Sequence, residues 1–383
     1  MARIKVNESI LRWAIDRSGL SSEALQKKFP KLLEWETGKS LPTLRKLEEF
    51  AKATLTPLGY LFLETPPVEK LPIPHFRTVA DQPLSRSSAE LLDTVQVMEQ
   101  RQAWLREFLV KLGEEPLPFV GSAKLDGSPP DIAQNIRSVL GLGERWASTY
   151  SSWTKALRHL QNAMEKVGVL VAVNSVVRNN THRKLDPEEF RGFVLVDEYA
   201  PLVFVNGNDY KAAQMFTLAH ELAHIWFGAS AAFDLKNMQP AQDATELASN
   251  KLAAEFLIPE SELLKAWSSF IQSENPFQSA ARQFKVSELV AARRALDLNL
   301  IDRQKFFNFY RDYQDRERES ISNRRGHGNF YANQNARIGR RFAQAVVQAV
   351  RKGDLLYADA YELTGLYGKT FEHYMNELSL GQQ

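Results

Sequence analysis

The chain is 383 residues long, 44% hydrophobic and 25% charged, the proportions of a globular protein with room for more than one core. Forty-eight Lys and Arg against 46 Asp and Glu leave a formal charge of +2. That is too small to hold nucleic acid by net charge, so any such contact must rest on local patches. Cysteine is absent, which excludes disulfides and thiolate metal sites and leaves His, Asp and Glu as ligands.

The first thirty residues lack the apolar block of a signal peptide. Runs such as GVLVAV fall far short of the about 20 residues that cross a membrane. The expected location is the cytoplasm, with no membrane partner. Residues 1–66 read as an all-helical domain. Asn7-Glu8-Ser9 opens one helix, Ser21-Ser22-Glu23 opens a second, and Thr43 caps a third through LRKLEEFAKA, with WETGKSLPT as a turn between them. TPPVEKLPIP, near 65–74, is a proline-rich linker.

A long helix is expected over 85–112, and shorter ones near 130–140 and 149–166. The period then changes. VGVLVAV, FRGFVLVD and PLVFVN read as strands, the last two joined tightly through EYA. Helix resumes at about 209–227 and again at about 243–272. SAARQFKVSELVAARRALDLNLI is a helical pair with a turn at its F-x-V-S. Residues 301–345 are aromatic and basic, NRRGHGNFYANQN reads as a loop, and the last forty residues are helical again. The expected fold class is α+β and mostly helical, in three parts: 1–66, 67–300 with a helix-turn-helix-like segment at about 279–301, and a C-terminal helical region at 301–383.

The chemistry-bearing stretch is FTLAHELAHIWFG, residues 216–228, which holds two of the seven histidines. On a helix, residues four apart share a face, so His220 and His224 can present both imidazoles to one ion. Glu221 is turned about 100° from His220, close enough to take a proton from a metal-activated water without ligating the metal. A buried helix with two merely hydrogen-bonded imidazoles is the bland alternative. Zinc suits nitrogen and oxygen ligands at this spacing, and Mn2+ or Fe2+ can take the same set. A third protein ligand is required. DATELASNKLAAEFLIP offers Asp243, Glu246 and Glu255. Glu246 leads because it shares a helix face with Asn250, which can orient it. Glu255 lies nine positions on and is expected to face solvent.

FRGFVLVDEYAPLVFVNGND, AAQMFTLAHELAHIWFG and ELASNKLAAEFLIP together resemble the ImmA/IrrE-type zinc metallopeptidases, over roughly residues 70–300. RIGRRFAQAVVQAV and ADAYELTGLYGKTF resemble the C-terminal segment of longer, phage- and plasmid-associated members. The resemblance implies a zincin-like core with a small β-sheet and one Zn2+. It makes His220, His224 and Glu246 a gluzincin-like ligand set and Glu221 the general base. For the oxyanion donor the sequence offers only Tyr199, Tyr210 and His75 as guesses. PLVFVN is either an edge strand that receives an extended substrate or a strand packed against the helix.

The N-terminal domain resembles XRE-type helix-turn-helix repressor domains through W-E-x-G-x-x-x-P and the helix after it. Between Leu25 and Trp35 it is about four residues short, where the recognition helix should begin. Residues 1–60 carry 11 Lys and Arg against 7 Asp and Glu, a modest excess for DNA, and Lys27, Lys28 and Lys31 can touch phosphates or simply be solvated. Protein docking is favoured over DNA for this domain. The segment at 279–301 is expected to pack on the core. Asp302 to Arg341 has 10 Lys and Arg against 5 Asp and Glu with Phe and Tyr interleaved; it is read as a helix with an FFNFY core stripe rather than a base-stacking surface. The resemblance implies an endopeptidase acting on a regulatory protein, a repressor or a toxin–antitoxin partner, in a stress, mobile-element or phage-defence setting. The alternative is an antitoxin-like or transcription-regulatory binding module whose metal site is structural or weakly active.

Overall fold

Capping chemistry sets the N-terminal helices. In the computed structural model, which describes residues 3–69, 87–229, 231–233, 244–320 and 330–380, Asn7 accepts from the Ser9 N–H and starts α1 (Glu8–Ser18). Ser21 likewise caps α2 (Ser22–Lys28), and Thr43 caps α4 (Leu44–Ala53). Each side-chain oxygen satisfies an N–H that a helix start leaves open. Between α2 and α4 lies α3 (Leu32–Glu36), a five-residue helix the sequence does not announce. Ile10, Leu11, Leu25, Trp35, Leu47, Phe50 and Leu61 form the core here. Arg17 is buried among them and is held by Asp93, Glu69 and the Leu55 carbonyl.

The chain divides into two compact units, with the division falling inside the long helix α5 (Ala89–Lys111) after Gln96. The N-terminal helices belong to the first unit and everything from Val97 on to the second.

In the second unit, α6 (Pro129–Val139) and α7 (Trp153–Lys166) precede the sheet. β1 (Leu170–Asn174) is followed by a small antiparallel hairpin, β2 (Val176–Val177) with β3 (Asn180–Lys184). β4 (Gly192–Leu195) and β5 (Leu202–Asn206) form the expected antiparallel pair. After α8 (Lys211–Phe227) comes β6 (Ala231–Phe233), which pairs antiparallel with β4. The four-stranded order is β1-β5-β4-β6, with β1 parallel to β5. PLVFVN is therefore no edge strand. β5 is buried along its whole length between two neighbours, the environment in which an unbroken apolar run belongs.

The helix expected over 243–272 is two, α9 (Ala244–Leu257) and α10 (Glu260–Ile271), separated at Pro259, which cannot continue a helix. The pair α11 (Pro276–Phe284) and α12 (Glu288–Asp297) turns through Lys285 at φ 56°. Their Ala280, Ala281, Phe284, Val286 and Ala291 join the same core as α8, so this segment packs on the body of the unit. α13 (Arg303–Ser320) buries Phe306 in a satellite core and leaves Phe307 56% exposed. The stretch read as a loop at 323–335 is helical from Phe330, where α14 (Phe330–Ile338) begins; residues 321–329 lie outside the described set. Then follow α15 (Arg340–Lys352), α16 (Tyr357–Thr364) and α17 (Gly368–Leu380). Helices dominate, with one small mixed sheet and a separate two-stranded hairpin in the second unit, the α+β class expected.

Candidate metal centre

α8 is buried from Gln214 to Trp226, packing between the sheet and α9. Its apolar residues Leu218, Leu222, Ile225 and Trp226 sit fully in the core, so the rotation of the helix is fixed and the histidines point one way. The far end is tied down as well. Gly228 ends the helix at φ 71°. The N–H groups of Gly121 and Ala123 donate to the Ile225 and Trp226 carbonyls, both at 2.9 Å. Phe119 stacks on Trp226 with ring centroids 4.6 Å apart, and the Trp226 Nε1–H donates to Asn135. A Cβ on Gly228 would stand 3.1 Å from the Gly121 Cα, so the missing side chain at Gly228 permits the contact.

α9 supplies the third group. Glu246 stands in its first turn and reaches across to α8. Its two carboxylate oxygens lie 3.2 Å from His220 Nε2 and His224 Nε2, and the two Nε2 atoms are 3.0 Å apart. The donor atoms of all three residues fall within 4.8 Å of one another. His220 Nδ1 is 3.1 Å from the Asn250 side-chain oxygen, which fixes the tautomer that turns the Nε2 lone pair inward. Asn250 thus steadies His220 rather than Glu246. Two imidazole nitrogens facing each other beside a carboxylate are a donor set that fits a divalent cation such as zinc.

The electrostatics separate two carboxyl groups. Burial acts to raise Glu246, but hydrogen bonds and charge from His220 and His224 outweigh it and hold the group well below the usual carboxylate range. Glu221 goes the other way. Complete burial, and then the negative charge of Glu246, push it well above that range. Both Glu221 oxygens are buried with no hydrogen-bond partner among the described residues. Burial also lowers His220, against the pull of Glu246, which keeps the imidazole neutral and able to ligate.

Gly192 was not singled out from the sequence, yet it sets how closely β4 meets α8. A Cβ there would lie 2.5 Å from Thr217 Cγ2 and 3.6 Å from Glu221 Oε1. The signal was available, because a glycine inside an apolar strand marks close backbone approach.

The other candidates separate clearly. Glu255 does not face solvent. It is 5% exposed and ion-paired with Arg294, while Arg137 donates to the Glu255 and Phe256 carbonyls at 3.3 Å. Nine residues from Glu246 it anchors the other end of α9, and burial raises its carboxyl despite Arg294. Asp243 and His75 lie outside the described residues. Tyr210 is the residue before α8, roughly 15 Å along the axis from His220 at 1.5 Å per residue. Tyr199 sits in the β4–β5 turn under Arg106, 5.4 Å from the ring centre, at the opposite end of the hairpin from Gly192.

Sequence comparison adds three findings. Residues 338–377 match a family model described as a domain of unknown function (DUF8813). No curated protein matches the chain. Residues 164–296 match the family model of the IrrE N-terminal-like domain of the M78 peptidases; that span contains His220, Glu221, His224 and Glu246, and the match supports an ImmA/IrrE-type metallopeptidase domain in this part of the chain.

Proposed function

We propose that the protein is a zinc-dependent endopeptidase that cleaves a regulatory, repressor-like protein in a stress, mobile-element or phage-defence and toxin–antitoxin context. The observation that carries the reading is the convergence of His220, His224 and Glu246 beside a buried Glu221 that has no hydrogen-bond partner among the described residues, all inside the segment similar to the M78 peptidases. His220, His224 and Glu246 hold the ion. When bound, zinc supplies Lewis acidity toward water and the peptide carbonyl. Glu221 is placed for the proton work. It accepts the proton of the attacking water and delivers it to the leaving amine, a task suited to a carboxyl whose affinity for protons is raised. Asn250 keeps His220 in its ligating tautomer.

The N-terminal unit fits docking to a protein partner better than reading an operator. α3 is only five residues, too short to lay a row of side chains along a major groove. Lys27, Lys28 and Lys31 are exposed.

The test is cleavage and zinc content measured on the purified full chain. Wild type is expected to hold one zinc and to cut a protein substrate. Glu221→Gln is expected to hold the same zinc and lose about 10²–10⁴-fold in rate. Equal cleavage by the two proteins contradicts the reading.

A further inference from the structure

β6 has a peculiar place. It is three residues long and begins just after α8 ends. In sequence it stands between the two helices that carry the donor atoms. It occupies the side of β4 away from β5, with Gly192 opposite Phe233, Phe193 opposite Ala232 and Val194 opposite Ala231. Gly192 is the point where β4 lies against Glu221. A strand on this edge therefore runs past the proposed catalytic carboxylate.

The hydrogen-bonding sense of the edge follows from its neighbour. The Asn206 N–H donates to the Arg191 carbonyl at 2.8 Å, so Arg191, and by alternation Phe193 and Leu195, face β5. The backbone groups of Gly192 and Val194 then face β6. Opposite them, Ala231 and Phe233 turn their N–H groups toward β4, and Ala232 turns its own outward.

An extended peptide bound to a sheet edge uses this same antiparallel backbone pairing. Resting on the peptidase reading above, we propose that β6 is an internal stand-in for the substrate. It occupies the β4 edge beside Glu221, and the extended segment of a protein substrate must displace it to be cut. Three residues of pairing are marginal by themselves, so the exchange is within reach of an incoming strand. The covalent tether to α8 keeps the local concentration of β6 high, so weak or unstructured chains do not win the edge. The strand makes the enzyme selective by competition rather than by a side-chain pocket.

Replacing an inward donor tests this on the zinc-loaded full chain, with fluorescently labelled casein as the probe. Ala231→Pro removes the N–H that faces Val194. It is expected to speed amide exchange at Gly192 and Val194 by roughly tenfold or more. Casein cleavage is expected to rise about fivefold or more, because the competent fraction grows. Phe233→Pro removes the other inward donor, should give the same two changes, and replaces the first variant if that one does not fold. Ala232→Pro, which alters only the outward N–H, is expected to leave both readings within about twofold.

Unchanged exchange at Gly192 and Val194 overturns the proposal. So does faster exchange with cleavage equal to or below wild type. Reduced cleavage in Ala232→Pro also overturns it, by placing the substrate on the outer edge of β6. Absence of cleavage by every form, with Glu221→Gln indistinguishable from the rest, instead overturns the peptidase reading itself.

Discussion

Two carboxyl groups stand beside the same pair of imidazoles, and their surroundings push them in opposite directions. Glu246 is held ionised by His220 and His224, whereas burial and the charge of Glu246 raise the proton affinity of Glu221, which has no hydrogen-bond partner among the described residues. Such a split is how one site keeps a ligand and a proton carrier distinct. Glu246→Ala is expected to weaken zinc binding by more than about 100-fold, and Asn250→Ala by about 10–100-fold, the range for a group that orients a ligand. Competition with a chromophoric chelator measures both. Zinc held by Glu246→Ala as tightly as by wild type would transfer the third-ligand role to another residue. At this scale the sequence was most readable where one helix carries the pattern, as with His220, Glu221 and His224. Glu246 was readable through its spacing along a second helix. The orientation of Glu255 was not, because its partner Arg294 lies 39 positions away and no local pattern connects them.

The elements that present these residues are held at their ends. Capping N–H groups from Gly121 and Ala123 fix the last turn of α8. Arg137 and Arg294 fix the last turn of α9, Arg294 by pairing with Glu255 and by donating to the Ile258 carbonyl at 3.2 Å. Arg294→Met leaves the Glu255 carboxyl buried without its counter-charge, and is expected to destabilise the fold by about 3–5 kcal/mol. Urea unfolding measures this, and a loss below about 1 kcal/mol would show that the pair does not anchor α9. Substituting Glu255→Leu in the same protein is expected to restore part of the loss, since no stranded charge remains. Most helix positions and the β4–β5 pairing were legible because period and turn residues are local, but the short α3, the break at Pro259 and the start of α14 were not. Strand order was not. The unbroken apolar run of β5 fits an internal strand, but nothing in it names β1 and β4 as its neighbours. β6 was missed because three residues carry too little pattern.

At the scale of the whole molecule, the C-terminal helices belong to the second unit with the sheet. α14 packs on β1, and a Cβ on Gly339 would meet the Val171 carbonyl oxygen at 3.1 Å and Glu165 Oε1 at 3.3 Å. Glu165 accepts from the Arg341 backbone N–H at 3.4 Å, at the start of α15. Burial pushes its carboxyl from 4.5 up to about 7, against the Arg341 and Arg340 backbone hydrogen bonds and charges. The folded chain therefore retains a proton there that the unfolded chain has released, and stability falls as pH rises from about 4.5 to about 7. Glu165→Gln is expected to raise the Tm above pH 7 by about 2–4 °C. That gain should fade through the window and vanish below pH 4.5. Thermal unfolding across this range measures it, and a gain equal at both ends contradicts the assignment. The helical content of this region was legible in its sequence. Its attachment to β1 was not, since the contact depends on a backbone approach at Gly339.

The central claim is that the donor cluster and Glu221 form a working peptidase. Its most direct test is a comparison of cellular protein N-termini between hosts carrying wild type and hosts carrying Glu221→Gln, at rest and under stress or phage challenge. One or a few new termini, present with wild type alone, are the expected result and name the substrate. Identical termini under every condition, from two proteins holding equal zinc, would contradict it.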